Sequence, residues 1–554
     1  MSALPNPALH DVHGSAWAPL RQSSFRSLWL AAVAANAGLW MRDVAAGWLM
    51  TSLAPSPSMV ALVQAATTLP VFLLSFPGGA LADIVDRRHL LIGTQVWTLA
   101  MTALLAGLTA VGATTQWVLL ALTFALGLGA ALMMPAWAAT TPELVPKPQL
   151  GAAIALNAMG MNVARAVGPA LAGVIVAAAG PAAVFALSAL AVVGVIVALY
   201  RWRREPRTST LPAERFASAL RTGFRFARHS PPLKRVLVRA GVFFLFASAL
   251  WAFLPLIVRH ELHGTAALYG WMLACVGVGA VIGAVTLPGL RSRLGPDRTV
   301  AIGATVAAAV ALGLAFVHDV WLLSFAMLVM GAAWISVISS LQVSAQMALP
   351  AWVRARGLAL FLTVFQGAMA AGSVLWGHLA DHTGIPVALT ASAIGALLGI
   401  AATWRLRIGD HVDADLSPAM HWPQPHGRDD VDDDSGPVVV SLEYRIDPGR
   451  AAAFREAMAA LHRIRKRDGA FSWGLFRDTA DRSRHIEYFM IESWVEHLRQ
   501  HERMTVADLA VEAAAKSFHV GPDAIVVTHW VAASGERDTA AGQDPRLAVP
   551  LIAT

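Results

Sequence analysis

Twelve stretches of about twenty mostly apolar residues fill the first 404 positions, and they constrain the fold more than any other feature. They lie near 28–50, 58–81, 89–111, 116–138, 152–177, 181–200, 236–258, 267–289, 299–317, 320–345, 356–379 and 384–404. Each is long enough for a helix to cross the hydrocarbon layer, where backbone polar groups must be satisfied within the segment. Residues 1–404 hold 24 Lys and Arg against 11 Asp and Glu, whereas residues 405–554 hold 18 against 24. Soluble domains carry about 25% charged residues; this chain of 554 carries 14%, which excludes a water-soluble enzyme of this size. The basic excess sits in the apolar part, so it gives no reason to expect a nucleic-acid partner. One cysteine, Cys275, excludes an internal disulfide and a cysteine-based metal cluster. The first residues lack a basic stretch leading into a short apolar core and cleavage site, so no removable signal is expected.

The connections alternate in charge. Those after odd-numbered spans hold one basic residue in all, Arg259. Those after even-numbered spans hold Arg87 and Arg88, Lys147, ten basic residues from Arg201 to Arg235, then Arg291, Arg293 and Arg298, then Arg354 and Arg356. By the positive-inside rule both termini and the central loop are cytoplasmic, in a multi-pass protein of the inner membrane. The expected organisation is a cytoplasmic segment 1–27, spans one to six over 28–200, a basic loop 201–235, spans seven to twelve over 236–404, and an acidic linker 405–436. A soluble domain over 437–533 and a tail over 534–554 follow. In the central loop, Phe216, Leu220 and Phe224 recur every four residues among Arg215, Arg221, Arg225 and Arg228. That suits either a short helix on an anionic leaflet or a solvated linker.

The two sets of six spans repeat each other. Pro77-Gly78 and Asp86-Arg87 recur as Pro288-Gly289 and Asp297-Arg298, at an offset of 211. Pro146, Gly168 and Gly173 recur as Pro350, Gly372 and Gly377, at an offset of 204. Such a parallel repeat is the layout of a transporter whose substrate site lies between its halves.

Gly79, Asp83, Asp86, Arg87 and Arg88 resemble the loop 2–3 signature of the major facilitator superfamily, with Ile84 and Asp86 departing from its usual basic residue and glycine. Ala164, Gly168, Pro169, Ala172 and Gly173 resemble its fifth-span antiporter signature. Trp40-Met-Arg42-Asp43, Leu81-Ala-Asp83 and Thr141-Pro-Glu-Leu-Val-Pro146 are most similar to the enterobactin-exporter-like, secretion-effector branch. The resemblance covers about residues 20–405 and implies an exporter; it carries no substrate.

Small residues at 164, 168, 172 and 173 permit close helix approach, and Pro169 can bend its span. Asp83 is expected either as a latch against the helix that begins near Arg354 and Arg356, at the cytoplasmic gate, or as a solvated loop charge. Arg42, Asp43 and Arg165 lie well inside spans, where a charge is a functional candidate. Counted from their span ends, Asp43 and Arg165 fall at similar depth, so an ion pair is expected, either structural or proton-coupling. Arg239, near the inner interface, is expected to snorkel to water. Asn157, Asn162, Gln366, Met133 and Met134 are candidate cavity residues, with Trp137 beside them. The absence of a glycine-rich phosphate loop points away from ATP and toward a proton gradient, with no cofactor and no metal.

After 436 the periodicity changes to βαββαβ: strands at Val438–Ile446, Phe471–Phe476, His485–Ile491 and Ala524–Val531, helices at 449–466 and 494–517. The predicted whole is thus an all-α membrane protein of twelve transmembrane helices in two six-helix pseudo-repeats, plus a C-terminal ferredoxin-like α+β domain. Around Glu492-Ser-Trp494 and His501 the domain resembles the antibiotic-biosynthesis-monooxygenase type of dimeric α/β barrel. Trp473, His485, Tyr488, Trp494, His497 and His501 are candidates for a cavity there. The expected role is a non-catalytic module, for dimerisation or regulation. The functions in competition are a proton-coupled exporter of a small amphipathic molecule (siderophore, drug or secondary metabolite), a membrane-anchored oxygenase, and an importer or facilitator. The repeat favours a transporter, whose partners are membrane lipid and a small-molecule substrate.

Overall fold

The computed structural model describes residues 16–54, 56–202, 216–409, 415–419 and 435–532; side chains at 76, 79–84, 138–139, 147, 216–220, 222 and 502 lie outside that description. The chain divides into two compact units, 1–414 and 415–554.

In the first unit nine described helical stretches are long and apolar enough to cross a membrane. Two of them, Leu150–Arg201 and Ala266–Phe316, are each a pair of helices joined at a single glycine, Gly180 (φ 79°) and Gly295 (φ 75°). Only glycine takes that backbone conformation without steric cost, so one residue suffices for each turn. Ser23–Leu53 crosses as well, its average hydropathy lowered by Arg42 and Asp43. The described residues therefore form twelve spans. We number them α1 (Ser23–Leu53), α2 (Pro57–Ile84), α3 (Arg87–Ala110), α4 (Gln116–Leu144), α5 (150–179), α6 (181–201), α7 (Pro231–Leu256), α8 (266–294), α9 (296–316), α10 (Val320–Met347), α11 (Arg354–Thr383) and α12 (Ile385–Thr403).

The connections rich in arginine lie on one face, called here the basic face. The start of α2, the end of α11 and the α7–α8 turn lie on the other, charge-poor face. A loop helix, Phe216–His229, precedes α7. It buries Gly223, Phe226 and Ala227, with Phe226 edge-on to Trp352, and leaves Phe224 62% exposed. The buried stripe is thus a different one from the apolar stripe of Phe224, which stays exposed; the side chains of Phe216 and Leu220 lie outside the described residues.

The second unit is an antiparallel sheet in the order β2-β3-β1-β4, from β1 (Val438–Arg445), β2 (Ser472–Arg477), β3 (Arg484–Ile491) and β4 (Val526–Val531). Helices α13 (Ala451–Asp468), α14 (Trp494–Arg503) and α15 (Val506–Lys516) complete a ferredoxin-like fold. Alternate residues Val438, Val440, Leu442 and Tyr444 meet Phe454, Met458 and Leu461 in its core. The expected single helix over 494–517 is two. Thr505 and Asp508 form a capping box, the Thr505 hydroxyl donating to Asp508 at 2.6 Å, and so start a new helix.

Candidate functional site

The repeat in the sequence is a repeat of contacts. A Cβ on Gly168 of α5 would lie 2.9 Å from Trp40 Cβ of α1, and one on Gly173 would lie 2.7 Å from the Ala266 carbonyl of α8. In the second half, Gly372 of α11 is pressed against Leu245 and Ser248 of α7, and a Cβ on Gly377 would lie 2.8 Å from Ala61 of α2. α5 thus bridges α1 and α8 as α11 bridges α7 and α2. Ala164 is buried against α1's side of this packing, and Pro169 approaches α8: a Cβ on Gly270 would lie 2.5 Å from the Pro169 carbonyl. Apolar association drives little in lipid, so such backbone proximity is what van der Waals packing between spans requires.

The intramembrane charges are arranged differently from expectation. Arg165 stands over the Trp40 ring, its guanidinium carbon 5.2 Å from the centroid, and forms no ion pair with Asp43. Residues 33 and 40 of α1 face 160 and 168 of α5, which puts Arg165 opposite residue 37 or 38. Asp43 is then more than a helical turn farther toward the charge-poor face, about 8 Å at 1.5 Å per residue. The two charges are not level because α1 begins at Ser23, five residues before the apolar run. Arg42 is buried and donates to Thr102 of α3 at 3.3 Å. Half-buried Asp43 makes no hydrogen bond or ion pair among the described residues. One turn along α1, a Cβ on Gly47 would lie 3.4 Å from the Tyr269 hydroxyl of α8, so this face of α1 meets the second half.

Arg239 also departs from expectation. Its side chain is 2% exposed and pairs with Asp297 at the start of α9 instead of reaching water. Asp297 also accepts from the backbone N–H groups of Ile408 (3.1 Å) and Gly409 (3.2 Å), which follow α12.

Asp86, Arg87 and Arg88 each make contacts within the first half. Asp86 caps α3 by accepting from His89 N at 3.0 Å. Arg87 pairs with Glu143 of α4 at 2.8 Å, and Arg88 donates to the carbonyls of Leu199 and Tyr200 at the end of α6. The side chains of Gly79 and Asp83 lie outside the described residues. Arg354 is exposed and Arg356 half-buried in the first turn of α11.

Among the candidate cavity residues, Asn157 donates to Thr141 of α4 at 3.1 Å. Met133 accepts from Gln95 of α3 and packs with Trp137 into the cluster of Leu28, Leu91 and Val195, within the first bundle. Met134 is 43% exposed, and Asn162 and Gln366 are half-buried at repeat-related positions of α5 and α11.

In the second unit the six candidates do not share one cavity. Tyr488 lies on the sheet face away from the helices, stacked on Phe476, whereas Trp473 and His485 alternate onto the helix face. Trp473 donates to buried Glu487 at 3.0 Å, which also receives Tyr444 and Arg465. His497 and His501 bring their Nε2 atoms to 3.3 Å beside Trp494 and His529. Burial first, then the neighbouring His501 and His529, pushes His497 down to about 3, so it is neutral at physiological pH.

Sequence reasoning missed three groups: the Asp297 clasp, the buried Arg465–Glu487 network, and contacts on the charge-poor face around Asp381 and Arg259. Only the Asp86/Asp297 repeat offered a signal for any of them.

A family model described as transmembrane secretion effector matches residues 14–538. The enterobactin exporter EntS of Citrobacter koseri is 27% identical over 326 residues, 57% of this chain and 75% of its own length. That of Salmonella typhimurium is 27% identical over 57% and 76%. The fold is shared with a mutant form of the nucleoside transporter NupG (TM-score 0.57, 12% identity, 70% of this chain and 99% of that one). It is shared too with an inward-facing bacterial homolog of the human lysosomal transporter Spinster (TM-score 0.52, 14%, 71% and 95%).

Proposed function

The chain belongs to the transmembrane secretion effector family of major facilitator transporters, and from that premise we propose that it is a proton-coupled exporter of a small amphipathic molecule, of the siderophore, drug or secondary-metabolite kind, working by alternating access. It is a multi-pass membrane transporter, not an enzyme. The observation that carries the finer reading is the repeat of contacts: each half lends one helix, α5 or α11, to grip the other. Two equivalent interfaces of this kind let the halves rock about a site between them.

The basic face is cytoplasmic on this reading, as is each terminus, in the inner membrane; the alternation of charge supports it. Asp43 carries the proton. Among the described residues it has no ion pair, and its face of α1 meets Tyr269 of the second half at Gly47. Substrate arriving between the halves displaces the balance between burial and Arg42, and the carboxyl gains or loses a proton with each cycle. Arg165, held on Trp40, keeps the first half's cavity wall positively charged. Asn162 and Gln366 supply polar contacts from the two halves. Asp83 latches the cytoplasmic mouth: α2 and α11 run antiparallel in steady register, and carrying that register inward sets residue 83 at the first turn of α11, near Arg356.

The EntS relatives export enterobactin by name; their likeness supports a siderophore-class cargo. The C-terminal domain is a non-catalytic module that pairs two copies, supported by the exposure of Phe476, Val526 and Trp530 on its uncovered sheet face.

Substrate-linked proton flux in proteoliposomes tests the coupling. Asp43→Asn is expected to abolish uphill efflux while substrate binding and downhill exchange persist. If the Asn variant still couples the two fluxes as the parent does, Asp43 is not the carrier.

A further inference from the structure

The charge-poor mouth is closed by polar contacts that cross between the halves. Asp381, in the last turn of α11, accepts with Oδ1 from Ser56 Oγ at 3.0 Å and from the backbone N–H of Ser58 at 3.0 Å. Ser58 is in the first turn of α2, whose leading N–H groups have no partner within the helix and present partial positive charge. The carboxylate of one half therefore caps a helix of the other. Just inside it, Gly377 and Ala61 bring α11 and α2 into backbone proximity.

A second contact lies across the mouth. Arg259, in the turn after α7, donates to Thr51 of α1 at 2.9 Å and stands over the Trp48 ring at 5.4 Å. Trp48 in turn stacks on Tyr269 of α8, centroids 6.2 Å apart with planes at 22°. Thr51 is 3% exposed, so this contact lies inside the closed surface. Its hydroxyl also donates to the Trp48 carbonyl at 2.7 Å, which fixes the hydroxyl's lone pairs toward Arg259.

We infer that Asp381 and Arg259 are the external gate residues of the transport cycle. Both contacts join opposite halves, so neither survives a movement that parts α2 from α11 and α1 from α7 on this face. Asp381 is exposed, and each hydrogen bond that it loses is replaced by water. Because water takes over its bonds on opening, such a contact suits a latch that opens on every turnover. Asp381 thus does at the end of α11 what the reading above assigns to Asp83 at the end of α2. The two antiparallel helices form a latch with one carboxylate at each end.

The inference rests on the alternating-access reading, and its test does not require the substrate. In a Cys275→Ser background, spin labels at Ala113→Cys and Trp321→Cys report the distance between halves on this face. Both positions are exposed and lie outside the Asp381 and Arg259 contacts. In the full chain in lipid nanodiscs, Asp381→Ala should raise the population of the longer-distance component at least threefold. Ser56→Ala, which removes one of the two donors, should give a smaller rise and covers the case in which the first variant fails to fold. Arg259→Ala should add to Asp381→Ala. An unchanged distance distribution in the folded variants overturns the gate. A distribution that responds in a protein with no measurable transport upholds the gate and overturns the exporter reading instead.

Discussion

The two halves of the membrane unit carry the same glycines for the same purpose and the same aspartates for different ones. Gly168 and Gly372 each receive the first helix of their own half; Gly173 and Gly377 each receive the second helix of the other. Asp86, by contrast, caps α3 and stays at the surface, whereas its repeat Asp297 neutralises buried Arg239 and fastens Ile408 and Gly409. Steric demands at a helix crossing cannot be relaxed in either copy, because any added atom there meets the backbone of the neighbouring span. A polar side chain at a helix start is freer to change partners, since any donor in reach satisfies it.

The largest expected effect comes from breaking the shared part. Gly173→Leu and Gly377→Leu should each cut efflux more than tenfold at equal membrane expression, because the added atoms meet backbone of the opposite half. Gly151→Ala, where a Cβ would meet nothing within 4 Å, should stay within twofold. Retained efflux in either leucine variant would show that the two crossings are not equivalent and tight.

The aspartates should separate next. Asp297→Ala leaves the Arg239 guanidinium buried without its carboxylate, and removing one member of a buried pair costs about 3–5 kcal/mol. Asp86→Ala removes a helix cap, worth about 1 kcal/mol. Heat denaturation of the purified protein should therefore show a much larger drop in midpoint for Asp297→Ala. Equal drops would mean that the second half has no stronger clasp than the first.

The smallest effect sharpens the same contrast. A chain ended after residue 410 keeps Ile408 and Gly409 on Asp297 and should retain efflux within twofold. One ended after residue 406 loses both donors and should melt earlier, though by less than Asp297→Ala, which also unpairs Arg239. Loss of all transport in the longer truncate would give the C-terminal domain a direct part in the cycle.

The number and course of the spans were legible in the sequence because lipid enforces a length and a polarity on every crossing, residue by residue. The repeat was legible because glycine and proline have few substitutes at close crossings and turns. The strands of the C-terminal domain were legible from their period of two, down to the alternation that turns Val438, Val440 and Leu442 inward. The capping box at Thr505 was equally local and was overlooked inside a long helical pattern.

Charge partners were a different matter. Depth counted along one helix does not give the offset between two, so Asp43 and Arg165 were set level when the α1–α5 register holds them apart. The sequence around Arg239 shows no partner for it, because Asp297 lies 58 positions away, a separation that only packing closes. The latch at Asp381 spans 323 positions to Ser58 and has no motif, since a carboxylate near a helix end is common in any sequence. Hydropathy and local geometry act on each segment alone, and the sequence by itself determined what depends on them: twelve spans, their pairing into halves, and the soluble domain's order. Which charge meets which was decided only by the tertiary structure, because an ion pair or a cap depends on the relative register of helices that the chain joins at a distance.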